Sequence, residues 1–81
     1  MDVKQRFLVV YDYGMGGLWG VMDARSRREI ELRYPELTIV EQRPDWMSEE
    51  RYEELCAEQA HDIDGAPWGI LNALIADRGR P

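Results

Sequence analysis

The chain has 81 residues, 44% of them apolar and 32% charged, with one cysteine and a formal net charge of −6. This length supports one hydrophobic core and not two, the apolar share is too high for a disordered segment, and a lone Cys56 excludes a disulfide scaffold. The charge is uneven: residues 1–40 carry six basic and six acidic groups and residues 41–81 carry four and ten, a field that repels a phosphate backbone and favours a basic partner.

No window approaches the roughly 20 apolar residues of a membrane span. The run Phe7 to Tyr11 is too short for a secretion signal and ends at Asp12, so the expected setting is cytoplasmic.

Residues Arg6 to Tyr13 form an apolar, β-branched and aromatic run of strand length. Phe7, Val9 and Tyr11 share one face and Leu8, Val10 and Asp12 the other, so both faces are apolar near its start, as in a strand covered on each side. The segment Gly14-Met15-Gly16-Gly17 breaks the run. It is either a hairpin turn into a second strand, Leu18 to Ala24, or a loop that opens a helix and cradles an anion. The hairpin is preferred, because Ser26 followed by Glu29 has the spacing of a capping box and starts a helix only after residue 24.

That helix runs from Arg27 to about Tyr34, with Ile30 and Tyr34 on one face, and Pro35 limits it. Leu37 to Glu41 is a short third strand, and Arg43-Pro44-Asp45 begins a turn. Ser48 is the N-cap of the next helix, Glu49 and Glu50 lie in its first turn, and Met47 pairs with Tyr52 as a hydrophobic staple. Tyr52, Leu55, Cys56 and Gln59 make its inner face, while Glu49, Glu50, Glu53, Glu54 and Glu58 supply an acidic outer one. His61 to Gly65 reads as a loop. Pro67 opens a last helix carrying Ile70, Leu71, Leu74 and Ile75 as far as Asp77, with Gly79 as its C-terminal signal.

The expected fold is α/β (α+β), with element order β-β-α-β-α-α and a small three-stranded, mainly antiparallel sheet in spatial order 2-1-3. Its helices pack mainly on one face. One domain spans residues 1–78, and residues 79–81 form a frayed tail.

Few residues invite chemistry. Gly14, Gly16 and Gly17 lack the lysine-serine pair of a P-loop and do not spell a dinucleotide fingerprint, although a small-molecule site beside them would draw in Asp12 and Asp23. Those two carboxylates occupy nearly mirrored places on the hairpin strands. His61 stands among Glu58, Asp62 and Asp64, but neighbours in a loop rarely converge on one ion, so a solvated histidine is expected and no metal or cofactor is assigned. Cys56 is expected as a buried thiol. Arg25, Arg27, Arg28 and Arg33 form a basic patch interrupted by glutamates, which does not amount to a nucleic-acid surface.

Two functions follow from different features. The first is a small acidic protein-interaction module, an accessory subunit or antagonist of a basic protein, with Trp19, Trp46, Glu49, Glu50, Glu53 and Glu54 as the partner-binding residues. The second is a homodimer with a small-molecule or catalytic site at the subunit boundary, and an enzyme is the less favoured of the two. The junction Ala24-Arg25-Ser26 with Glu29-Ile30 is common among small bacterial proteins and too generic to import a function.

Overall fold

A computed structural model describes residues 3–14 and 16–79. Met15, within the glycine turn, and residues 80–81 of the expected tail lie outside the described residues.

The chain forms β1 (Gln5–Asp12), β2 (Gly17–Ala24), α1 (Arg27–Arg33), β3 (Leu37–Val40), α2 (Glu49–Glu58), β4 (Ala60–Asp62) and α3 (Ile70–Arg78). The four strands make one mixed sheet in the order β3-β1-β2-β4. β1 pairs antiparallel with β2, Leu8 facing Val21, and with β3, Leu8 facing Val40. β4 runs parallel to β2, from Val21 opposite Ala60 to Asp23 opposite Asp62. The expected three-stranded, mainly antiparallel sheet is therefore corrected to a four-stranded mixed one. The added strand is only three residues long, held by hydrogen bonds from Val21 N–H to the Gln59 carbonyl (2.9 Å) and from Ile63 N–H to the Asp23 carbonyl (3.0 Å). It satisfies backbone groups on the outer edge of β2 that would otherwise lie open.

The helices do not share a face, which is a second correction. α1 and α3 cover the side carrying Val9, Tyr11, Met22 and Ala24, where Ile30, Tyr34, Leu71 and Leu74 complete the larger core cluster. α2 lies on the opposite side, with Leu8, Val21, Met47 and Leu55 beneath it. Period-two alternation in β1 and β2 divides the apolar residues between these two layers.

Local chemistry sets the helix ends. The Ser26 hydroxyl accepts from Glu29 N–H at 3.3 Å, and the Glu29 carboxylate accepts from Arg25 N–H at 2.8 Å, a capping box reaching one residue further back than the usual form. The Ser48 hydroxyl accepts from Arg51 N–H at 3.1 Å. α3 starts at Ile70 and not at Pro67. Gly69 precedes it with φ of 56°, and a Cβ there would stand 2.6 Å from the Gln59 side-chain oxygen. Only glycine fits both the left-handed backbone and the close approach.

Candidate functional site

The α2 face of the sheet has three zones along the strands. The middle row, Val40, Leu8, Val21 and Ala60, lies under α2. Toward the glycine turn, the row Thr38, Val10 and Trp19 lines a cavity of about 490 Å³, and Trp19 also packs against the cluster beneath α2. At the other end Arg6 faces Asp23 across the hairpin, donating from Nε at 2.8 Å and from a terminal nitrogen at 2.9 Å.

The first end gathers residues singled out from the sequence. Trp46 arrives from the segment before α2 and meets Trp19 edge to face, ring centroids 5.1 Å apart. Trp46 remains 66% exposed, whereas Trp19 is half-buried. Glu49 and Glu50 follow directly in the first turn of α2, and Glu53, Glu54 and Glu58 are exposed along the same helix, with Arg51 neutralising only Glu54 at 3.1 Å. The indole pair therefore sits next to a strongly acidic rim.

Gly14, Gly16, Gly17 and Asp12 line the same cavity. Gly14 and Gly16 have positive φ, as a tight turn needs, and Tyr13 N–H donates to the Gly16 carbonyl at 3.2 Å. The Asp12 carboxylate accepts from Gly14 N–H at 2.8 Å. A Cβ on Gly17 would stand 2.8 Å from the Val10 side chain, so this glycine keeps the floor of the cavity open. Asp23 is not part of this group. It lies at the opposite end of β2, paired with Arg6, so Asp12 and Asp23 cannot act as an acid-base pair.

His61 is not a solvated loop residue. It stands in β4, 2% exposed, with Nε2 at 3.0 Å from the Gln59 carboxamide oxygen and its ring tilted against Trp68 at 4.4 Å between centroids. Its Nδ1 is buried without a hydrogen-bond partner among the described residues, and burial pushes the His61 pKa below the ordinary histidine value. Asp62 and Asp64 turn away from it. Lys4 bridges both at 2.7 and 2.8 Å, and Arg25 holds Asp64 at 2.6 Å and Glu29 at 2.8 Å. Arg25, and then Lys4, bring the Asp64 pKa down to about 2. Among the described residues no group of three or more His, Cys, Asp or Glu side chains is arranged to hold a metal ion.

The remaining sequence candidates are dispersed. Cys56 is a free, half-buried thiol beside Arg6 and Tyr52 at the margin of the α2 layer, more open than expected. Burial, and then Cys56, raise the Tyr52 pKa. The arginines of α1 separate: Arg27 pairs with Glu41, while Arg33 lies 5.7 Å from the Tyr34 ring centroid.

No described helix is long and apolar enough to cross a membrane. In comparisons with known proteins, no family model matches this chain, and neither a curated protein nor a solved structure does.

Proposed function

We propose that this domain is a protein-interaction module whose docking surface is the Trp19–Trp46 pair with the acidic outer face of α2, and whose partner is a basic protein segment. The observation that carries it is the position of Trp46, two-thirds exposed and in edge-to-face contact with Trp19, which itself lines an open cavity. An indole left outside the core is a typical interface anchor, and here it offers a π-face to a lysine or arginine next to Glu49, Glu50 and Glu53. The acidic rim would speed encounter with a basic partner and make binding sensitive to salt.

The test is capture of the tagged protein's partner at low salt, followed by titration of the purified pair by calorimetry. Trp46→Ala should weaken binding by at least tenfold, as for an anchor worth roughly 2 kcal/mol. Reversal of Glu49, Glu50, Glu53 and Glu54 to lysine should slow association and flatten the salt dependence. Unchanged affinity in both variants, with the fold intact by circular dichroism, sinks the proposal. Recovery of the bait only as its own dimer would instead favour the second function, a ligand site at a subunit boundary, for which the cavity at Asp12, Gly14, Gly16 and Gly17 is the supporting feature.

A further inference from the structure

At the far end of the α2 face from the tryptophans, β3 stops opposite Leu8, so among the described residues Gln5, Arg6 and Phe7 of β1 have no strand beside them on that side. The chain leaves β3 through Glu41 and returns to α2 by way of Arg43, and this departure opens a notch at the edge of the sheet. Within it is a cavity of about 450 Å³. Arg6, Arg27 and Arg43 line it together with one carboxylate, Glu41, and the ring of Tyr52. The remaining wall is apolar, formed by Phe7, Leu8, Ile39 and Val40.

Three guanidinium groups around one opening are unexpected in a chain of net charge −6. Two of them have carboxylate partners, Arg6 with Asp23 and Arg27 with Glu41. Arg43 has none among the described residues: its one hydrogen bond goes from a terminal nitrogen to the Met47 carbonyl at 3.1 Å. A guanidinium has five N–H donors in a planar fork that matches a carboxylate or a phosphate, and Arg43 retains most of its five. Arg27 would gain donors as well if an incoming anion displaced Glu41, whose side chain is mostly exposed and so costs little to release.

We propose that this notch binds a small organic anion, its carboxylate or phosphate head held by Arg43 and Arg27 and its apolar body lying against Ile39, Val40 and Tyr52. Arg6 lines the opening but is held by two hydrogen bonds to Asp23, whose carboxylate balances its charge, so the head group rests on Arg43 and Arg27. The volume is that of a small-ligand site, and its lining is divided between a charged end, Arg6, Arg27, Glu41 and Arg43, and an apolar one, which suits an anion with an apolar body. The site is separate from the tryptophan surface and does not depend on it.

The experiment is titration of the full chain with phenyl phosphate, followed by amide and arginine side-chain NMR, with inorganic phosphate in a parallel series. Saturable shifts at Phe7, Val40, Glu41, Arg43 and Tyr52 are expected, with Trp19 and Gly17 unmoved. Arg43→Gln should weaken binding roughly tenfold or more, the factor for one charge-assisted hydrogen-bonded contact. Glu41→Gln should strengthen it, because it removes the internal competitor for Arg27, a response that general damage to the fold would not produce. No saturation by about 10 mM, beyond the weak millimolar range, overturns the site. Equal binding of inorganic phosphate overturns the role of the apolar wall. Shifts centred on the glycine turn overturn the location.

Discussion

The Gln59 carboxamide oxygen stands 3.0 Å from Nε2 of His61, across the start of β4. That oxygen only accepts, so Nε2 carries the ring proton and Nδ1 is left as a bare, buried lone pair. A second proton on the ring would put a charge at an atom with no acceptor.

Stability should therefore respond to mild acid. The folded pKa of His61 lies below the unfolded value of about 6.5, so the neutral ring's contribution is complete above pH 6.5 and is lost as pH falls toward the folded pKa. Urea midpoints measured from about pH 7.5 to about pH 4.5, a range spanning the ordinary histidine value, should fall in the natural chain and stay nearly flat in His61→Leu. Asp64 then contributes a second, lower window. Its folded pKa of about 2 lies below the ordinary 3.8, so the stabilisation by Arg25 and Lys4 is present above pH 3.8 and lost as pH falls through about 2.

Gly20→Ala should destabilise the fold by about 1–3 kcal/mol, as overpacking does. A Cβ at that position would stand 2.9 Å from Ile70 Cδ1 and 3.1 Å from the Gln59 carbonyl, so the end of the Ile70 side chain would have to turn aside and the backbone entering β4 would have to give. Thermal melting of the variant measures it, and an unchanged Tm would show that the backbone entering β4 is not packed tightly against Gly20.

The Tyr11 phenol donates to Asp77 at 2.6 Å, joining the central strand to the last turn of α3. Tyr11→Phe should cost about 1–2 kcal/mol, the range for a hydrogen bond to a charged acceptor that keeps some access to water. Protection of α3 amides from hydrogen exchange should fall more than that of β1 amides.

Ser48→Ala should cost about 1 kcal/mol, because it removes the acceptor for Arg51 N–H at the start of α2. Since α2 alone covers the second face, tryptophan fluorescence of the Trp19–Trp46 pair should report the loosening before secondary structure is lost.

Both helix caps are readable from the sequence because Ser26 and Ser48 act on residues three positions away, where the pattern is local. The mirrored faces of β1 already carry the information that helices lie on both sides: Phe7, Val9 and Tyr11 face one layer and Leu8 and Val10 the other. Placing the helices on one face overlooks it. β4 escapes a sequence reading because three residues are too few for a periodicity, and histidine and aspartate are poor strand signals. The usable hint is the alternation from His61 to Asp64, where His61 and Ile63 are buried while Asp62 and Asp64 reach Lys4 and Arg25. Trp19 and Trp46 stand out as large aromatics in excess of the core, but their contact depends on the path of residues 41–48, which no local pattern sets. The arginine notch is invisible for the same reason, since Arg6, Arg27 and Arg43 come from three separate segments.

The parallel pairing of β4 on β2 has a kinetic consequence. The β1–β2 hairpin joins neighbours in the chain and can close early, whereas Val21 meets Ala60 across the whole span of α1, β3 and α2, which makes this the most entropically costly closure in the sheet. The segment from Gln59 onward should dock late in folding and open first under native conditions. It carries His61, Trp68 and α3 with it, so the transient species would expose the larger apolar layer, held by Met22 and Ile30, while the α2 side stayed closed.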